Sequence, residues 1–436
     1  MATGTARWGI TPAKLHRALL VAAVIYLAML PASWATAARS IAFASSAALA
    51  LWIVALSRSG RDEYIPSPGT AILAALLAWS ACAVASVMWS VHVAYTLREF
   101  RHELSWGLLT MAIFYVAAHD REAWRVLVAT VLASFALLAA LAGALAASPG
   151  GWNPERWHVG VGAFSTYLVL VAPLLLTLLA PAPAGFANGQ RSLLIAGVLL
   201  ALLLVAARLS DNRMVWIALA SVFVTASVLA ALRWRPTLAR APLRWLAPLL
   251  AVFLVLGLLF ADVARERARS NFPAQTSMAQ TFSADPRLPL WDFTAARIRE
   301  RPWTGYGFGK SILEDELSGA LHDPLLSHAH NVFASQWLQI GAFGLVGFIA
   351  LLAALGWRFV GFLRARDDTL ALIGLIGLSL LVGFIVKNLT DDFLVRSNAK
   401  EFWALCATLL GYGVRLERAI TARGPSPATS LARKSE

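Results

Sequence analysis

The stretch SHAHNVFASQWLQIGAFGL, residues 327–345, joins two histidines, His328 and His330, to Asn331 and then to a long apolar run. A bilayer core is crossed by about 20 mostly apolar residues in helical form. The run from 332 onward therefore predicts a membrane helix over 332–357, with imidazoles and an amide at its mouth. Which face of the membrane that mouth meets, and what else gathers there, governs the rest of the reading.

Such runs recur along the chain. Its 436 residues are 59% hydrophobic and 14% charged, against about 25% charge in a soluble domain. Mean hydropathy is +0.66. Twelve spans are expected, over 16–34, 40–57, 69–90, 105–118, 123–147, 161–182, 191–208, 214–232, 245–261, 332–357, 369–387 and 400–414. The fold class is an all-α polytopic membrane protein. A β-barrel is excluded, because its segments alternate over about ten residues and these runs are longer and unbroken. The fourth span is short, and 91–104 ahead of it reads as an interfacial helix. No trusted cleavage site precedes the first run, which is read as a retained helix. Cys82 and Cys406 both fall inside apolar runs, where cysteine packs as a small hydrophobe.

The expected organisation is four-part: 1–261 with helices one to nine, a long loop at 262–331 with short helices, 332–414 with helices ten to twelve, and a tail at 415–436. The tail is rich in Pro, Ser and Ala and reads as disordered. Within the long loop, PLWDFTAARIRERPW has helical spacing until Pro302 ends it. TGYGFGK, 304–310, is a Gly-rich turn. It follows a helix rather than a strand and lacks P-loop spacing, so a phosphate cradle is not the reading taken.

A net charge of +13 on a soluble protein would point to nucleic acid; here it is divided between two membrane faces. With the N-terminus in the cytoplasm, twenty of the 37 lysines and arginines lie on the cytoplasmic side, nine in short outer loops and eight in 262–331. Short-loop bias sets orientation, so both termini are expected inside and the long loop outside. RWRPTLARAPLR, 233–244, is the strongest anchor of that topology. No nucleic-acid partner is expected.

With sidedness assigned, polar groups cluster at the outer mouth: His330 at the start of span ten, Arg213 in the hairpin RLSDNR, Arg287 in DPRLPLW, Asp391 and Asp392 in TDDF, and Arg156 with His158 before span six. Ionisable groups at such places usually line a substrate path. Each has a plain alternative. Arg213 would serve as a snorkelling anchor, Asn331 as a helix cap, and the aspartates as a solvated loop. Arg265 leads a helically spaced trio with Arg267 and Arg269; it is counted with the substrate-binding candidates, headgroup contact being its alternative.

Together the set suits an anionic, lipid-linked substrate. Guanidinium groups hold diphosphate through paired hydrogen bonds and do not lose their charge. A histidine kept neutral by nearby arginines accepts a proton. An acceptor hydroxyl then attacks a sugar's anomeric carbon while diphosphate leaves, with arginine charge in place of a metal or strong acid.

HNVFASQWLQIGAFGL resembles the His-Asn signature, with its paired glycines, of the O-antigen ligase and polymerase superfamily. DPRLPLWDFTAARIRERPWTGYGFG resembles that family's Arg-Trp segment followed by P-x-x-G-x-G, and LSDNRMVWIALA its arginine hairpin. RWHVGVGAFSTYLVLVAPLLL is similar to its short outer loop and following helix. The likeness runs from about 150 to 400. The hairpin departs from the family in reading SDNR, where Asp211 would orient Arg213, with methionine next.

The resemblance implies a lipid-dependent, inverting, metal-independent glycosyltransferase without a cofactor. His330 would be its general base, and Arg213 and Arg287 its diphosphate ligands. One of Asp391 and Asp392 would orient His330 or an arginine; Arg265, Asn331 and Arg156 are counted as substrate-binding candidates from their place at the outer mouth. The donor implied is O-antigen polysaccharide on undecaprenyl diphosphate, the acceptor lipid A–core, in a bacterial inner membrane. Ligase is favoured over polymerase on length, span count and loop size. A twelve-helix transporter is the reading from another class, and the inverted repeats and broken midplane helices it requires are not evident.

Overall fold

In this computed structural model of the chain, residues 11–60, 62, 64–179, 190–234, 287–321 and 327–423 are described, with 253, 256, 257, 259–261, 264 and 265. The described residues are helices and connections. They comprise α1 (Pro12–Met29), α2 (Thr36–Arg58), α3 (Thr70–Ala85), α4 (Val93–Glu99), α5 (Trp106–Ala117), α6 (Arg121–Ala146), α7 (Pro154–His158), α8 (Val161–Val171), α9 (Gln190–Leu209), α10 (Arg213–Arg233), α11 (Arg287–Glu300), α12 (Glu314–Leu321), α13 (Val332–Leu363), α14 (Asp368–Asn388) and α15 (Arg396–Ala422).

Nine helical stretches among the described residues are long and apolar enough to cross a membrane, and the chain is a multi-pass α-helical membrane protein. The three further expected spans differ for identifiable reasons. The fourth is α5, a 12-residue helix entered through a π-helical turn at Phe100–Ser105. The ninth lies largely outside the described residues. The twelfth is α15, a 27-residue helix with charged groups at both ends and a buried middle. The tail beyond 423 also lies outside the described residues.

Side chains that accept orphan amide hydrogens start the helices that matter here. Asn212 Oδ1 accepts from Met214 N at 3.0 Å and opens α10. Asn331 Oδ1 accepts from Phe333 N and Ala334 N at 2.9 and 3.1 Å and opens α13. Asp367 caps α14 through Leu370 N at 2.9 Å. The centre of the bundle is α14, packed between α10, α13 and α8. Phe384 stacks on Phe402 of α15 with ring centroids 4.1 Å apart.

Two ties orient the helices. Arg233, at the end of α10, donates to Asp368 Oδ1 at the start of α14 at 3.1 Å, so these two helices run antiparallel. The start of α10 therefore shares an end of the bundle with the close of α14. Asn331 Nδ2 donates to Leu389 O at 2.9 Å, which brings the start of α13 to that end. Asn398 Nδ2 donates to Ala163 O at 3.0 Å and adds the starts of α8 and α15.

One device joins the loop after α11 to the bundle. Inside α13, Gly341 takes φ 70°, ψ −175° and breaks the helix. Ala342 N then donates to Pro302 O at 2.9 Å, while the carbonyls of Leu338 and Gln339 accept from Tyr306 N and Gly307 N, each at 2.9 Å. The Gly-rich segment is thus seated in the break. A Cβ on Gly341 would overlap the Trp303 carbonyl, and one on Gly305 would sit 2.6 Å from Gln339 C, so glycine is required at both.

Candidate active site at one end of the bundle

The segment Ser327–Asn331 delivers His330 to the mouth of α13 in a left-handed backbone conformation, φ 47°, uncommon for a residue with a side chain. Trp291 Nε1 of α11 donates to Ala329 O at 3.1 Å and pins this turn. Arg287 is the first residue of α11, four positions before Trp291. The spacing of Arg287, Trp291 and His330 thereby acquires a physical reason: the indole couples the helix that starts at the arginine to the turn that presents the histidine.

Asp391 Oδ1 stands 3.6 Å from His330 Nδ1, and its other oxygen pairs with Lys387 Nζ. The His330 ring stacks on His328 with centroids 3.9 Å apart. Burial, then the charge of Lys310, push His328 down to about 2, so this imidazole stays neutral. Of the two aspartates, Asp391 therefore turns to His330. Asp392 turns away: its carboxylate is buried beside a cavity lined by Glu103, Lys310, Gln336, Trp79 and Trp403, and its carbonyl accepts from Lys310 Nζ at 2.6 Å.

Reading the sequence missed the two lysines. Lys387 was one of nine short-loop cations and Lys310 one of eight in the long loop, yet Lys387 is fully buried and Lys310 half-buried. Two lysines therefore belong to this cluster, Lys387 through Asp391 and Lys310 through the Asp392 carbonyl. The available signal was K-N-L-T-D, a lysine one helical turn before an aspartate at the end of an apolar run. Five amides of the Gly-rich turn, Gly305 to Gly309, are already taken within the protein. Beyond the two taken by α13, Phe308 N donates to Ser86 Oγ and Gly309 N to Gln339 Oε1, each at 2.9 Å.

The other expected residues are placed as follows. Arg213 is exposed at the first position of α10, at the His330 end by the antiparallel argument. Asp211 closes its hairpin at φ 44°. Asn331 caps α13, as its plain alternative held, and also ties it to Leu389. Arg156 is exposed, with its guanidinium carbon 5.5 Å from the Trp157 ring centroid, and its carbonyl accepts from Ser33 Oγ at 2.6 Å. Arg265 is exposed and helical. No described hydrogen bond or ion pair joins Arg156 or Arg265 to the His330 cluster. Beside Arg156, His158 is buried, its Nδ1 2.6 Å from Pro31 O, and burial pushes it down to about 4.

The fold and this cluster define a polytopic helical membrane protein with a histidine–carboxylate site at one end of its bundle. Residues 198–349 match the family model described as O-Antigen ligase, a stretch that takes in Arg213, Arg287 and His330 and stops before Lys387. Three curated proteins are similar over a shorter stretch. One, from Rickettsia felis and named "Putative polysaccharide ligase", is 31% identical over 110 residues, 24% of this chain and 27% of that protein. Proteins so named from Rickettsia conorii and Rickettsia prowazekii are 31% and 33% identical over the same shares of both chains. The likeness spans about a quarter of the length of these relatives. Over residues 198–349 the chain is similar to the O-antigen ligase family.

Proposed function

We propose that this protein is a glycosyltransferase of a bacterial inner membrane. It transfers O-antigen polysaccharide from undecaprenyl diphosphate to a sugar hydroxyl of lipid A–core, at a site open to the periplasm. The observation that carries the reading is the His330–Asp391 arrangement at the mouth of α13, inside the bundle end that also receives Arg213. The lysine and arginine distribution supports both termini in the cytoplasm and this end outside.

In this reading His330 Nδ1 carries its hydrogen toward Asp391, which leaves Nε2 to accept the proton of the acceptor hydroxyl. The oxygen then attacks the anomeric carbon from the face opposite the diphosphate. The C–O bond to diphosphate breaks, its electron pair leaves with undecaprenyl diphosphate, and the anomeric configuration inverts. Arg213 and Arg287 neutralise the charge that develops on the leaving oxygen. The protonated His330 is stabilised by the Asp391 carboxylate.

The test is reconstitution of the purified protein with lipid-linked polysaccharide and, separately, lipid A–core or a second lipid-linked repeat. Extension of lipid A–core is expected. Extension of the second repeat alone would make the protein a polymerase, and extension of neither would remove the transferase reading.

A further inference from the structure

Lys387 is a fully buried lysine in the last turn of a helix that is otherwise apolar apart from its ends. Removing two charges from water costs several kcal/mol per ion, and an apolar pair of similar size often packs as well or better. The Lys387–Asp391 pair is therefore poorly explained as a stabilising element and better explained as one that specifies an arrangement.

Its surroundings are built to hold that arrangement. Phe393 N donates to Asn388 Oδ1 at 2.8 Å, which curls 389–393 back over the end of α14. The Phe393 ring faces two ammonium groups, Lys387 Nζ at 5.3 Å and Lys310 Nζ at 4.9 Å from its centroid, close enough for cation–π attraction. The same ring abuts Gly162, where a Cβ would overlap it. Lys387 is thus confined between the Asp391 carboxylate and an aromatic face that cannot retreat. Asp391 in turn is faced by His330 and His328 from the turn before α13, by Lys387 from α14 and by Lys310 from the loop after α11.

We propose that Lys387 is a positioning residue of the transfer site: its buried ammonium holds one oxygen of Asp391, so that the other is presented to His330 Nδ1. The proposal rests on the transferase reading above. Lys387 acts on the transfer site through Asp391, so its removal should slow the proton-transfer step without weakening donor binding.

The experiment compares wild type, Lys387→Met and the double variant Lys387→Met/Asp391→Asn in the purified reconstituted transfer assay, from about pH 5 to about pH 9. The double variant contains no unpaired buried charge and is compared with Asp391→Asn alone: if Lys387 acts through Asp391 it loses no more than about twofold beyond that single variant, and a further loss of about tenfold overturns the proposal. A loss of about tenfold or more in kcat is expected for both, with donor KM within about threefold, because displacement by about 1 Å costs this much. The acid limb of kcat/KM against pH should also move from its wild-type position, which a purely structural role would leave unchanged. A double variant within about twofold of wild-type kcat, its acid limb unmoved, overturns the proposal. His330→Ala is run alongside. Wild type that transfers nothing sinks the transferase reading; His330→Ala that stays active removes the general base and this proposal with it; His330→Ala that is silent while the Lys387 variants are normal removes only the role of Lys387.

Discussion

His330 and Asp391 meet across the gap between two helices that are neighbours in space but separated by 61 positions in sequence: the imidazole stands at the entry of α13 and the carboxylate just past the exit of α14, 3.6 Å apart. An imidazole facing a carboxylate through Nδ1 has its tautomer set and its protonated form favoured. Two substitutions separate those roles. His330→Ala removes the base and should lower transfer by about 100-fold or more. Asp391→Asn keeps the base but withdraws the charge behind it, so it should lose less. Initial rates with saturating donor check both. Equal and complete losses would indicate that Asp391 does more than orient.

Arg287 and Arg213 carry the second prediction. A guanidinium binds diphosphate through two parallel donors, a geometry that a lysine ammonium does not reproduce. Arg287→Lys and Arg213→Lys should each lose about tenfold or more in kcat/KM at unchanged expression and thermal stability. Near-normal turnover in both would count against diphosphate clamping.

Much of the site was legible because its motifs are local. The histidine at a helix mouth, the cap at Asn331 and the arginine one turn before Trp291 are all short-range patterns of charge against apolar periodicity. Two features were not legible. Burial of Lys387 depends on Phe393 closing over it, and Phe393 is placed by Gly162, more than 200 positions earlier. The Gly-rich segment reads as a turn, but its glycines answer to a break in α13 more than thirty residues later. The fourth and twelfth spans show the same limit: α5 and α15 pack on each other in the interior, where apolar length is no guide to crossing.

That break gives a third prediction. Gly341→Ala places a Cβ on a backbone at positive φ and against the Trp303 carbonyl, and strain of this kind costs about 1–3 kcal/mol. Gly361, near the other end of the same helix, has open space where a Cβ would go. Gly361→Ala should instead stabilise by about 0.5–1 kcal/mol. Thermal unfolding of the two variants in one detergent makes the comparison. Similar behaviour would mean that the seating of 302–309 in α13 contributes little.

The role of metal is tested by chelation. Arginine charge at the leaving diphosphate makes a divalent cation unnecessary in the proposed mechanism, so transfer should persist in excess chelator. Activity lost on chelation and restored by a divalent cation would reassign Asp391 and Asp392 as ligands.

Acid stability provides the last prediction, and its sign follows from His158. This imidazole is buried, with Nδ1–H donating to Pro31 O at 2.6 Å, and burial lowers it to about 4 in the folded protein. In the unfolded chain it titrates near 6.5. Between these values the unfolded state binds a proton that the folded state refuses, so stability is complete above pH 6.5 and falls as the pH drops toward 4, by about 1.4 kcal/mol per unit for this one group. His328, lowered by the same cause, adds to the slope. His158→Phe removes one of the two contributions while leaving the Pro31 carbonyl without its donor, a loss of about 1 kcal/mol near neutrality. The variant should therefore be less stable than wild type at pH 7.5 and lose stability less steeply below pH 6.5. Unfolding midpoints measured across that interval decide it: parallel curves for the two proteins would place the acid sensitivity elsewhere in the chain.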